Sequence, residues 1–204
     1  MRLNLGCGRN HLEGFVNIDR FAEARPDLLW DLERTPWPIA SGSVTEIMAV
    51  HVLEHLGQRT ETFLAIMKEI HRVLAPGGFL RIRAPHHRSE GYWGDPTHVR
   101  PINRAVMSLF SKANCRMFAA RGWPNTPLAD YLDIDLEIVE ATDRLTPAWR
   151  KRMADGLSEA DLMFAAETYA NVIDEVAIVL RKVPPEAVMT ETALPSPATG
   201  TAAG

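Results

Sequence analysis

The chain has 204 residues, 46% of them hydrophobic, which supplies a full core for one domain of roughly 180 residues and excludes a disordered composition. A net charge of -4 with no long basic run gives no positive case for a nucleic-acid groove, although charge alone does not exclude a small RNA. Cys7 and Cys115 form no disulfide framework and fit a reduced, cytoplasmic protein, and no stretch approaches the roughly 20 apolar residues of a membrane span.

Residues 2–5 read as a first strand that runs into the turn Gly6-Cys7-Gly8, and residues 15–18 read as a second, followed by Asp19. This early entry into a strand leaves no room for a signal peptide. Only roughly nine residues separate the two strands, against the dozen or more that a strand–helix–strand crossover needs, so the first helix is expected to shrink to about one turn. A weak third strand is expected at 28–30, before Asp31, followed by a turn-rich stretch with Pro36, Pro38 and Gly42. Residues 44–50 form a mostly apolar strand, as in a sheet covered on both faces. Phe63, Ile66, Met67, Ile70, Val73 and Leu74 recur at helical spacing over 58–74, and Pro76-Gly77-Gly78 ends that helix.

A further strand is expected over 79–84. Residues 86–101 have no periodicity but hold His86, His87, Tyr92, Trp93, Asp95, His98 and Arg100. Asn103 caps a helix expected to run to about 121, and 132–139 reads as a strand. Residues 146–170, helical from Pro147, read as an insertion or lid. A final strand at 172–183 closes a single domain over 1–183, and the Pro/Ala/Thr-rich 184–204 reads as a disordered tail. Alternating strands and helices indicate an α/β fold with a mixed or mostly parallel sheet.

A glycine turn after a strand exposes backbone N–H groups to a ligand, and a carboxylate ending the next strand accepts both hydroxyls of a ribose. Asp19 has the position for this, with a strand-end turn aspartate as the competing reading. Arg9-Asn10-His11 stands where a dinucleotide fingerprint needs its third glycine, which disfavours a nicotinamide cofactor, and there is no P-loop lysine.

The segments Leu3-Asn4-Leu5-Gly6-Cys7-Gly8, Val16-Asn17-Ile18-Asp19, Asp31-Leu32, His51-Val52-Leu53-Glu54-His55-Leu56 and Arg72-Val73-Leu74-Ala75-Pro76-Gly77-Gly78 follow one another in a family order. On them the chain resembles the class I S-adenosylmethionine-dependent methyltransferases, in the branch known as methyltransferase type 11. Asp95-Pro96-Thr97-His98 and the ending Leu180-Arg181-Lys182 also look like this branch.

The resemblance implies a Rossmann-like, doubly wound, mostly parallel seven-stranded sheet whose last strand is antiparallel. It implies S-adenosyl-L-methionine as cofactor and S-adenosyl-L-homocysteine as product. Gly6, Cys7 and Gly8 would face the methionine part, Asp19 the ribose, Asp31 and Leu32 the adenine, and Ala49 and His51 the sulfonium end. Asn4 stands where the family more often has an acid near the methionine ammonium, and Asn10 near another usual glycine. Many relatives carry a helix before the first strand. Its absence here leaves a more open cofactor or one covered by a partner subunit, and a homodimer is therefore admitted beside a monomer.

His51-Val52-Leu53-Glu54-His55 fits the His-x-x-Glu-His pattern of inverted zinc proteases. The segment follows a buried strand, however, so its histidines are not expected to share a helical face, and no metal is expected. Glu54 and His55 are expected to hold the turn. On the acceptor side, His86, His87 and His98 are candidate bases, and Tyr92, Trp93, Asp95 and Arg100 are candidate acceptor contacts. Each also has a purely structural reading: loop packing for Tyr92 and Trp93, an Asp95–His98 pair, and an internal ion pair for Arg100. The expected activity is methyl transfer to a small-molecule acceptor without membrane or nucleic-acid partners. An RNA or protein acceptor, or a non-catalytic cofactor-binding role, is the alternative.

Overall fold

In the computed structural model, which describes residues 1–185, seven strands form one sheet. They are β1 (Arg2–Leu5), β2 (Val16–Asp19), β3 (Leu28–Leu29), β4 (Val44–Val50), β5 (Leu74–Pro85), β6 (Leu136–Leu145) and β7 (Ile173–Lys182), in the order β3-β2-β1-β4-β5-β7-β6. The first five run parallel, and β7 enters antiparallel between β5 and β6. This is the expected mostly parallel sheet with an antiparallel last strand. The expected tail lies, from residue 186 onward, outside the described residues.

β4 is apolar because the sheet is covered where it passes: Val44, Ile47 and Ala49 are fully buried. Helix α1 (Thr60–Val73) lays Phe63, Ile66, Met67, Ile70 and Val73 into the same core. Glu69, on its buried face, accepts the Trp37 N–H at 2.5 Å and pairs with Arg72, so a buried carboxylate stitches the 36–39 loop to α1.

The first crossover is shortened until only turns remain between β1 and β2. Two buried amides take over the work of the missing helix. Asn4 and Asn17 face each other in register across β1 and β2. Asn4 Nδ2 donates to Asn17 Oδ1 and to the Asn10 carbonyl, both at 2.9 Å, and Leu12 N–H donates to Asn17 Oδ1 at 2.8 Å. Asn17 donates its backbone and side-chain N–H to Asp27 Oδ2, both at 2.8 Å, which holds the Asp27 carboxyl below its ordinary range.

Several boundaries differ from the sequence expectation: the strand expected over 79–84 already begins at Leu74, where Leu74 pairs with Val44 of β4. The helix expected over 103–121 is two helices, α3 (Arg104–Ser108) and α4 (Lys112–Ala120), followed by a turn. Between them the Leu109 and Phe110 carbonyls accept from Ala129 and Leu136 N–H, so they leave the helical ladder, and Ser111 recaps the chain by accepting from Asn114 N–H. The strand expected at 132–139 begins four residues later, because Leu128–Leu132 is a helical turn, α5, closed by Asp133 at φ 51°. β6 then runs on to Leu145, because Glu140 to Arg144 pair with Glu175 to Val179 of β7. The 146–170 segment is two helices, α6 (Pro147–Ala154) and α7 (Glu159–Thr168), packed on Leu145, Val172 and Ile173 in a small cluster of their own. The four-residue α2 (Glu90–Trp93) lies in the loop after β5.

Candidate functional site

The C-terminal ends of β1, β2 and β4 open into a cleft of about 410 Å³, lined by Gly6, Asp19, Asp31, Leu32 and His51 among others. In a doubly wound sheet this edge is where ligands bind. Its floor is the turn after β1. Gly6 sits at φ 59°, and a Cβ there would lie 2.4 Å from Val52 Cγ2, so only glycine fits. Gly8, at φ 49°, donates its N–H to Asp19 Oδ2 at 2.8 Å. The residue between them, Cys7, is buried. Burial, and then the nearby Asp19 carboxylate, push its thiol up, which keeps it an inert packing group.

Asp19 is itself buried, and Phe21 N–H donates to its other oxygen at 2.9 Å. The two backbone donors fix the carboxylate plane and still leave a lone pair on each oxygen toward the cleft. Asp31 reaches the same cleft from the loop after β3, its Oδ1 accepting from Glu33 N–H at 3.0 Å. Leu32, Trp30 and Phe21 add apolar walls.

His51 ends β4 in a left-handed conformation, φ 50°, that a non-glycine residue rarely adopts. Its side chain is 47% exposed, with Nε2 2.8 Å from Glu175 Oε2 and Nδ1 3.5 Å from Glu54 Oε1. The neighbouring Glu54 carboxylate, and then that of Glu175, raise its pKa against the opposing effect of burial. Arg83, on β5, donates to both oxygens of Glu175. Sheet pairing brings this group together, since Pro85 of β5 lies opposite Glu175 of β7. Arg83 and Glu175 were not among the sequence candidates. The local signal was the pair Asp174-Glu175 at the start of a strand whose middle is apolar.

Asn4 Nδ2 is committed to the Asn10 carbonyl and Asn17 Oδ1, and Asn4 is not among the residues lining the cleft. Ala49 is fully buried in the sheet and does not line the cleft either.

The loop after β5 spreads its candidates over three places. His86 is buried, and its Nδ1 accepts from Arg88 N–H at 3.3 Å. Burial, with the neighbouring His87, takes its pKa down to about 4, so it is a weak base away from the cleft. His87 also titrates low, chiefly through burial, and lines a second cavity of about 550 Å³ with Trp93 and Tyr169. Trp93 is 75% exposed and donates its indole N–H to the His87 carbonyl. Tyr92 is buried, stacked on His98. Asp95 holds Thr97, whose backbone N–H and hydroxyl both donate to Asp95 Oδ1. Arg100 donates to the Gly57 carbonyl and lies 4.5 Å over the Phe63 ring. His55 and Thr97 reach the cofactor-side cleft, whereas no residue of 146–170 does; Thr168 and Tyr169 border the second cavity.

A family model described as a methyltransferase domain matches residues 15–82. No curated protein matches the chain. Among solved structures, the chain is similar to an S-adenosylmethionine-dependent methyltransferase from Archaeoglobus fulgidus, with 17% identity over 89% of this chain and 85% of that one, and a TM-score of 0.52. It is also similar to the (4+2)-cyclase SpnF (19% identity, 90% of this chain and 75% of that one, TM-score 0.48). A further likeness is to an S-adenosylmethionine-dependent methyltransferase from Methanosarcina mazei (15% identity, 90% and 92%, TM-score 0.48).

Proposed function

We propose that the chain is an S-adenosylmethionine-dependent methyltransferase whose methyl acceptor is a small molecule. The observation that carries this reading is the cleft joining Gly6, Asp19, Asp31 and His51 at one sheet edge. In it Asp19 receives the ribose hydroxyls, Asp31 and Leu32 flank the adenine, and the Gly6–Gly8 turn admits the methionine part. His51 stands at the sulfonium end.

Transfer is an in-line displacement. Held by these residues, S-adenosylmethionine would supply an electrophilic methyl group for an acceptor lone pair, with S-adenosylhomocysteine as the leaving product. The protein mainly supplies proximity and alignment. Where the acceptor atom carries a proton, His51 is better placed than His86 to take it. It borders the cleft, and Glu175, fixed by Arg83, orients its ring, the arrangement by which a carboxylate positions a histidine base.

A small acceptor is favoured over RNA because several cations around the site are committed internally, which leaves Arg20, over the Phe21 ring, as the arginine lining the cleft. Arg83 is paired with Glu175, Arg100 with Gly57 and Phe63, and Arg88 with the Ala166 and Glu167 carbonyls. A single lining arginine does not make a cationic track for a phosphate backbone. No helix among the described residues is long and apolar enough to cross a membrane. The test is transfer of a labelled methyl group from S-adenosylmethionine to small-molecule, RNA and protein fractions offered separately. Label in the small-molecule fraction supports the reading, and label confined to RNA or protein overturns it.

A further inference from the structure

We propose that Glu54, His55 and His98 bind a divalent transition-metal ion at the border of the cofactor cleft. A ring nitrogen of each histidine and a carboxylate oxygen of Glu54 all lie within 4.8 Å of one another. Two imidazoles and one carboxylate make a donor set that suits zinc and its first-row neighbours and leaves coordination positions open.

The hydrogen bonds around the two rings set them up for this. The His98 Nδ1 lies 2.6 Å from the Tyr92 carbonyl, which can only accept, so Nδ1 carries the proton and the neutral ring keeps its lone pair on Nε2. The Thr97 hydroxyl donates to Asp95 Oδ1, so its oxygen is left to accept from His55 Nδ1 at 2.8 Å. His55 therefore also presents Nε2 as a lone pair. A ring N–H anchored on a carbonyl or other acceptor, with the far nitrogen free, is the usual outer-shell arrangement of a metal-binding histidine. The two rings lie 4.6 Å apart.

Glu54 supplies an independent observation. Its side chain is 1% exposed, and neither carboxylate oxygen has a hydrogen-bond partner among the described residues. The closest cation, His51 Nδ1, is 3.5 Å away. Burying a carboxylate is unfavourable unless it is paired or coordinated, and coordination would meet that need here. The sequence alone pointed away from a metal because it paired His51 with His55 in the His-x-x-Glu-His pattern. In the fold His51 turns toward Glu175, and the second histidine comes from the 86–101 loop instead. His55 and Thr97 line the cleft, so an ion here borders the cofactor and can take an oxygen of the acceptor as a further ligand.

The test uses the untagged full chain, stripped with a chelator and titrated with cobalt(II) in the absence of S-adenosylmethionine, so that its result is independent of the cofactor assignment. The readouts are calorimetry and the visible d–d absorption of the bound ion. The expected result is one saturable site per chain with a non-octahedral spectrum, weakened at least about tenfold in His55→Ala and in His98→Ala, while His86→Asn binds like the parent. Circular dichroism checks each fold. If His98→Ala fails to fold, the partly exposed His55 still decides the matter. No saturable binding to the folded parent, or undiminished binding to folded His55→Ala, overturns the proposal.

Discussion

His51 Nε2 lies 2.8 Å from Glu175 Oε2, although 124 positions separate the two residues. The contact exists because β7 enters the sheet antiparallel beside β5, and because His51 accepts a left-handed backbone at the end of β4. Arg83 holds Glu175 from the other side. Replacing Glu175 with Gln leaves Arg83 without its carboxylate and His51 without its anchor. The expected outcome is a loss of about 1–3 kcal/mol in urea unfolding and a fall in turnover at unchanged S-adenosylmethionine affinity. Denaturation and calorimetry with the cofactor separate the two effects, and a loss of cofactor binding alone would argue against an orienting role.

Gly6 has no room for a side chain. Gly6→Ala places a Cβ 2.4 Å from Val52 Cγ2 at a positive φ. It is expected to cost about 1–3 kcal/mol and to abolish cofactor binding. The double variant with Val52→Ala relieves the clash but not the backbone strain, so partial recovery is the outcome to look for in thermal unfolding.

The amide pair that replaces the first helix holds the crossover together. Asn17→Ala strands the Asn4 amide, the Leu12 N–H and Asp27 together. A loss of about 2–4 kcal/mol is expected, with the crossover backbone exchanging its amide hydrogens faster. Unchanged exchange over residues 6–15 would contradict this account of the crossover.

His71 and His86 make the fold acid-sensitive. Burial, aided by Lys182 for His71 and by His87 for His86, takes each from 6.5 down to about 4. Between those values the unfolded chain binds more protons than the folded one, so stability falls as pH drops through the window and levels off below it. Urea midpoints followed from about 6.5 to about 4 should show this slope, and His86→Asn should flatten part of it. A slope of opposite sign would show that these rings do not govern the response.

The residues themselves explain what could be read in advance. β4 and α1 were legible because a mostly apolar run and a strict helical spacing leave little choice. Asp19 was legible because it follows a glycine turn at a fixed distance. The break at Leu109-Phe110 was not, because Phe110 continues the apolar stripe and only the acceptor role of its carbonyl interrupts the helix. The second half of β6 was hidden by Glu140, Asp143 and Arg144, polar residues on a strand at the sheet edge. Asn4 was placed by analogy with an acid, whereas an amide both donates and accepts and so could serve the crossover. The Glu54–His55–His98 grouping needed the path of the 86–101 loop, which carries no periodicity.

The central claim is that the cleft beside Asp19 holds S-adenosylmethionine. Calorimetry of the parent chain and of Asp19→Asn with S-adenosylmethionine and S-adenosylhomocysteine tests it most directly, with the exposed Asp155→Ala as control. One equivalent of each should bind to the parent and to the control, and Asp19→Asn should weaken both by about 10- to 100-fold while remaining folded. No binding to the parent, or equal binding by Asp19→Asn, would contradict the account.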